Sequence, residues 1–258
     1  MEKRQQMNEL TGREWLQYSF SIWRDLSKTQ EEKNFDHPAS YPIALCDRLI
    51  RTFSRSGANI LDPFNGIGST TVACENLNRK ATGIDLSKKF CDIAQSRITN
   101  LNNDIKIINA DSFKALKKLE AESFDMCLTS PPYWDILNMK RSADRKDISN
   151  YSNKNSDLGN IENYDEFIDS LKCLFKEVYR VLKHDCYCLI NVMDIRKKSI
   201  FYPLHSDLSK AMVEIGFKYD DLLIWDRQRD YNNMKPLGYP CRFRINKVHE
   251  YIIILIKE

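Results

Sequence analysis

The chain has no Cys-x-x-Cys pair, although eight of its 258 residues are cysteines. Cys46, Cys74, Cys91, Cys127, Cys173, Cys186, Cys188 and Cys241 are scattered, mostly within apolar runs. Cys186 and Cys188 share a strand face, but no second pair completes a zinc site. Reduced, buried thiols in a cytoplasmic protein are therefore expected, with no metal. No apolar run approaches the roughly 18 residues that a membrane span needs. The N-terminal "MEKRQQMNEL" has charges but no apolar segment behind them, which argues against a secretory signal. Repeats and low-complexity tracts are absent too. The net charge of +3 is too small to name a partner. With 42% hydrophobic and 29% charged residues, the composition is that of an ordinary globular protein.

What is present is an alternation. "NILDPF" (59–64) is an apolar strand, followed by the turn "NGIGS" and the helical "STTVACENL". "KATGIDL" (80–86), "DIKIINAD" (104–111) and "FDMCLTS" (124–130) read as three further strands. "NYDEFIDSLKCLFKEVYRVLK" carries Phe167, Leu171, Leu174, Phe175, Val178 and Leu182 at helical spacing. "DCYCLINVMD" (185–194), "DDLLIWD" (220–226) and the closing "HEYIIILIKE" complete seven strands. Strands alternating with helices predict an α/β fold with a mostly parallel sheet covered on both faces. No helix separates the last two strands, so an antiparallel hairpin at the sheet edge is expected. Residues 135–163 break the alternation as a long polar insertion, and loops of that size are usually functional or disordered.

The turn "DPFNGIGS" (62–69) joins a strand to a helix, where Gly66 and Gly68 let the backbone approach a ligand. Asp62, Asp85 and Asp111 end three successive strands and point to one crevice. Asp85, in "GIDLS", stands where an acidic side chain accepts both hydroxyls of a ribose. Asp111 before "SFKAL" also reads as a helix N-cap. The third glycine of a dinucleotide turn is missing. A single nucleoside with a cationic or amino-acid tail fits better.

"DPFNGIGSTTVACENLNRKATGIDLS" followed by "TSPPYW" (129–134) resembles the amino-methyltransferases that act on DNA with S-adenosylmethionine. The upstream "HPASYPIALCDRLIRTFSRSGANILDPF" is similar to their helical segment at the methionine end of the cofactor, and the tail "WDRQRDYNNMKPLGYPCRFRINKVHEYIIILIK" to compact members. The resemblance runs from about residue 9 to the end, with the two halves in the circularly rearranged order relative to many relatives. It implies a class I, Rossmann-like methyltransferase domain over 1–258. Within that domain, 1–57 would line the cofactor and 135–163 would touch DNA. It further implies that S-adenosylmethionine meets His37, Pro38, Ala39, Asp62, Phe64, Gly66, Gly68, Ser69, Thr70, Asp85, Leu86, Asp111, Ser112 and Thr129. The expected partners are double-stranded DNA with a flipped base and a cognate restriction endonuclease.

The chemistry of "SPPYW" agrees. The lone pair of an exocyclic base amine is delocalised into the ring, so acceptors around the nitrogen must localise it. Ser130 offers a hydroxyl, and Pro131 and Pro132 fix carbonyls while donating nothing. Tyr133 is placed to stack on a base swung out of the duplex. Trp134 either walls that pocket, and so contacts DNA, or packs against the sheet. In the family that the chain resembles, serine at the first position usually accompanies cytosine N4 methylation, whereas adenine N6 enzymes more often carry Asp or Asn. Cytosine N4 is the reading taken; adenine or structured RNA as substrate, or a catalytically silent binding module, are the alternatives. Two basic clusters form the expected phosphate rim: Lys140, Arg141 and Arg145 within 137–154, a local +3, and Arg227, Arg229, Arg242 and Arg244 within 227–247, a local +5. His37, His184 and His249 read as structural, since the transfer needs no histidine base.

Overall fold

The computed structural model of the chain describes residues 6–35, 40–99, 104–135, 157–197, 199–231, 234 and 236–258. Five apolar strands run parallel side by side: β2 (Asn59–Asp62), β3 (Lys80–Asp85), β4 (Ile105–Asn109), β5 (Phe124–Thr129) and β6 (Leu182–Val192). β10 (His249–Lys257) pairs antiparallel with β6, and β9 (Lys218–Asp226) pairs antiparallel with β10. The two-residue β1 (Ile22–Trp23) adds itself parallel to β9 at the far edge. The sheet order is β1-β9-β10-β6-β5-β2-β3-β4.

Successive residues of the central strands point into two separate cores. Ile60, Met126, Leu128, Leu189, Ile252 and Ile254 pack under α3 (Ile43–Phe53) and α4 (Ser69–Asn76). Leu61, Cys127, Cys188, Ile190, Ile253 and Leu255 pack on the other face, under α6 (Ser112–Leu116), α7 (Tyr164–Val181) and α8 (Leu204–Ile215). Burial on both faces is why these strands read as unbroken apolar runs rather than alternating ones. α5 (Lys88–Arg97) packs beside β3 and β4. In α7, Phe167, Leu171, Leu174, Phe175 and Val178 form the buried stripe that their spacing predicts.

Two expectations change. Among the described residues the main sheet has eight strands rather than seven, and a separate antiparallel ribbon joins β7 (Ile195–Lys197) to β8 (Ile200–Tyr202). A two-residue strand has no periodicity to read, and β1 is held by a partner some two hundred residues away. The final antiparallel pair does form, but β1 rather than β9 closes that edge. The cysteines are all free, yet Cys173 and Cys241 are exposed rather than buried. For Cys173 the reason is that the buried stripe of α7 passes it by. Ahead of the sheet, α1 (Gly12–Tyr18) and α2 (Gln30–Asn34) each start with a capping box, Thr11 with Glu14 and Thr29 with Glu32. That Thr-x-x-Glu pattern is legible in sequence.

Chain order and sheet order part company at β2. The chain leaves β2 towards β3 and β4, then returns to place β5 on the opposite side of β2. Such a switch point opens a crevice beyond the carboxyl ends of the two diverging strands. It brings "DPFNG" and "TSPPYW" together although they lie more than sixty residues apart.

Gly68 shapes the turn at this point. It caps α4 with φ +85°, and a Cβ there would sit 2.8 Å from Thr71 Oγ1 and 2.9 Å from Ala94 Cβ. Gly68→Ala combines left-handed strain with overpacking, together about 2–4 kcal/mol. Urea unfolding should show a midpoint lowered accordingly; an unchanged midpoint would mean the turn relaxes freely.

Candidate active site

Asp62 ends β2 beneath the crevice and is 1% exposed. Its Oδ2 accepts from Thr70 Oγ1 at 2.6 Å and from the Tyr41 hydroxyl at 3.0 Å. Its Oδ1 accepts from Thr129 Oγ1 at 2.7 Å and from the Phe64 N–H at 3.0 Å. Burial still pushes the carboxyl above the usual carboxylate range, with those donors pulling it back. Asp62, Thr70 and Thr129, expected to touch the cofactor, are bonded to one another outside the lining of the cavity beside them. Gly68 is likewise outside that lining, packed against Thr71 and Ala94.

The cavity has a volume of about 430 Å³. Phe64, Gly66, Ser69, Asp85, Leu86, Asp111, Ser112, Ser130 and Pro132 of the expected residues line it. His37, Pro38, Ala39, Lys140, Arg141 and Arg145 lie outside the described residues. Asp85 takes the Gly66 N–H on Oδ2 at 2.9 Å and the Ser87 N–H on Oδ1 at 2.8 Å. A carboxylate offers about four lone-pair positions, so two stay available for a pair of hydroxyls. Burial pushes Asp85 up to about 6 against the pull of those two backbone donors, with the charges of Asp62 and Asp157 adding to the rise. Asp111 both lines the cavity and caps α6 through the Phe113 N–H. The two readings of that residue coexist.

Other lining residues were not singled out from sequence: Tyr41, Asn65, Asp157 and, from α7, Asp169, Ser170 and Cys173. Asn65 is 5% exposed and neither side-chain polar atom has a hydrogen-bond partner among the described residues. Its carboxamide lies where a Cβ on Gly83 would come within 2.7 Å of Nδ2, so only glycine fits opposite it. The amide is sealed against the sheet, so it is the half-satisfied Asp85 carboxylate, in a cavity lined mostly by apolar surface, that fits a polar nucleoside ligand.

The stretch 129–134 divides its side chains between cavity and interior. Ser130 and Pro132 face the cavity, whereas Pro131 is buried. Tyr133 is half-buried, with its hydroxyl donating to Glu250 Oε2 at 2.7 Å. Trp134 adopts φ +54°, which is uncommon for a bulky residue. Its indole is 3% exposed, meets Tyr164 and Tyr202 edge-on, and lies under Lys197 Nζ at 4.0 Å. The structure thus places Trp134 in the core, away from the surface where DNA would lie.

The second basic segment is also divided. Arg229 and Arg242 are exposed and Arg244 is half-buried. Arg227 instead turns inward, with Nη1 against Glu250 Oε1. Between the arginines stand two aromatics that charge counting passed over: Tyr239, 79% exposed, and Phe243, 94% exposed. Among the described residues, no group of three or more His, Cys, Asp or Glu side chains is placed to hold a metal, and no helix is long and apolar enough to cross a membrane.

Comparison with known proteins places this geometry. A family described as DNA methylase matches residues 1–96 and 124–258. A shorter match, to RNA cap guanine-N2 methyltransferases, is confined to residues 57–141. The orphan methyltransferase M.BamHII of Bacillus amyloliquefaciens is 38% identical over 85 residues, which cover 31% of this chain and 32% of that one. The chain therefore spans about a third of the length of that relative. The precorrin-6y C5,15-methyltransferase of Geobacter metallireducens GS-15 has a similar structure, with 11% identity and a TM-score of 0.52 over 91% of this chain and 95% of its own. That likeness is one of fold, and the fold is that of the class I methyltransferases. A DNA modification methylase of Thermus thermophilus, solved in complex with S-adenosyl-L-methionine, is 25% identical with a TM-score of 0.41, over 57% of this chain and 53% of that one.

The raised Asp85 carboxyl makes a pH prediction. Hydroxyl donors on a ligand favour the charged form, so below about pH 6 binding must expel a proton. Affinity for S-adenosylhomocysteine should be flat from about pH 6 to 7 and fall up to tenfold per pH unit below. Asp85→Asn should bind more weakly and lose this dependence. Calorimetric titration checks both; an identical slope in the variant would remove Asp85 from the ligand.

Proposed function

We propose, for a chain that belongs to the DNA methylase family of N6- and N4-directed enzymes, that it transfers a methyl group from S-adenosylmethionine to the exocyclic N4 amine of cytosine in DNA. The observation that carries this reading is that Ser130 and Asp85 open into the same cavity. β2 pairs with β5 on one side and with β3 on the other, so the strand ends that carry Ser130 and Asp85 flank the end of β2.

Asp85 and the Gly66 turn would hold the ribose. Bound there, S-adenosylmethionine supplies an electrophilic methyl on a cationic sulfur. Ser130 Oγ accepts a hydrogen bond from the target amine. That contact strengthens as the nitrogen becomes tetrahedral and its lone pair is freed from the ring. Pro131 and Pro132 bring no N–H to compete for the same acceptors. The N–C bond forms as the C–S bond breaks, its electron pair staying on sulfur, and the surplus amine proton then leaves to water.

Serine at position 130 supports cytosine N4, the base that usually goes with serine there in this family. The target base must leave the duplex to reach the cavity. Arg229, Arg242 and Arg244, interleaved with Tyr239 and Phe243, supply the cations and aromatic faces suited to a distorted duplex. Guarding DNA beside a nuclease is the corresponding biological role.

Nucleoside mass spectrometry of plasmid DNA from cells expressing the protein should show N4-methylcytosine. In purified form, Ser130→Ala should slow single-turnover transfer by about 30- to 1,000-fold, the loss of roughly 2–4 kcal/mol in the transition state. N6-methyladenine would overturn the base assignment. An unmodified plasmid would overturn the activity.

A further inference from the structure

Four neighbouring strands bring four polar side chains together behind Ser130. Tyr133 follows β5, Asn191 lies near the end of β6, Glu250 near the start of β10, and Arg227 follows β9. β10 alone runs backwards in the sheet, so its first residues reach the end at which the others finish. Glu250 is 4% exposed, and its Oε1 is bound by Arg227. Its Oε2 accepts from the Tyr133 hydroxyl at 2.7 Å and from Asn191 Nδ2 at 2.6 Å. Asn191 Nδ2 also reaches the Tyr133 oxygen at 2.8 Å. Ser130 Oγ donates to the Asn191 carbonyl at 3.1 Å and lies 3.1 Å from the Tyr133 oxygen.

The direction of each hydrogen follows from Glu250. A salt-bridged carboxylate only accepts, so the tyrosine hydrogen points at it and the tyrosine oxygen is left as an acceptor. Burial first, and the Glu250 charge second, hold the phenol well above its usual pKa and keep that hydrogen in place. The same carboxylate orients the Asn191 amide, because the reversed amide would set Oδ1 against Oε2. Ser130 then faces two acceptors, the Asn191 carbonyl and the Tyr133 oxygen. Its hydrogen goes to one of them, and its lone pairs turn to the cavity. The sole donor in the group aimed at it is Asn191 Nδ2, at a weak 3.4 Å.

We propose that Glu250 and Tyr133 are positioning residues that hold Ser130 as a hydrogen-bond acceptor for the target amine, with Arg227 fixing the carboxylate from behind. Arg227 thereby serves the reaction from within the protein instead of gripping phosphate. The proposal rests on the reading of Ser130 given above.

The test is a double-mutant cycle in single-turnover methyl transfer to plasmid DNA, with S-adenosylhomocysteine and DNA affinities measured alongside. Tyr133→Phe keeps the ring and removes only the relay. It should slow transfer on the order of tenfold, with both affinities within about twofold of the parent. Glu250→Gln, whose amide can donate and so reverse the tyrosine hydrogen, should slow it at least as much. In a Ser130→Ala background neither change should slow transfer further, because both act through that hydroxyl. Additive losses would assign the pair a separate structural role and overturn the proposal. Should Glu250→Gln fail to fold, the Tyr133→Phe cycle alone decides. If Ser130→Ala is slow while Tyr133→Phe is not, only the relay fails; if Ser130→Ala transfers at the parental rate, the reading of Ser130 fails with it.

Discussion

A single buried carboxylate ties this site together. Asp62 collects four donors, one each from the lead into α3, the turn after β2, the first helical turn of α4 and the end of β5. Burying a carboxylate costs several kcal/mol unless donors replace its lost water, and here every donor comes from a different segment. The requirement to satisfy one charge thus sets the relative positions of all four. Thr129 is the residue immediately before Ser130. The glycine turn and the strand end that carries Ser130 are consequently registered against the same two oxygen atoms.

The sheet supplies the rest. Parallel strands leave their carboxyl ends together on one side, and the switch between β2 and β5 leaves a gap there. The reversed β10 then adds a carboxylate that a fully parallel sheet would have carried to the opposite end. Two acidic systems follow with different tasks. Asp62 and Asp85 hold the turn after β2, and Glu250 holds the Tyr133 hydroxyl behind Ser130. Each is drawn out of water and each is matched to donors that hold its oxygens in place.

Much of this was legible in the sequence, and the failures share a cause. Strand-to-helix alternation placed all five central strands, and Gly66, Asp85 and Ser130, singled out from sequence, line one cavity. Composition and spacing say which residue ends a strand, but not which way its oxygens face. Asp62, Thr70 and Thr129 read as ligands for that reason, whereas in the structure they bond to one another outside the cavity lining. Arg227 counted as one positive charge among six in its segment, although its partner lies on a strand read only as apolar. Trp134 follows two prolines, and the left-handed turn that sends it into the core has no local signature. Glu250 sat in "KVHEYIIILIK" as the polar lead of a strand. Nothing but the antiparallel register of that strand reveals what the carboxylate faces.

The central claim is that one cavity at the switch point seats the methyl donor beside Ser130. A crystal structure with S-adenosylhomocysteine tests it most directly. The account predicts the ribose hydroxyls on Asp85, the sulfur on the Ser130 side of the cavity, and Ser130 still donating to the Asn191 carbonyl. A nucleoside bound away from Asp85, or a sulfur walled off from Ser130, would contradict it.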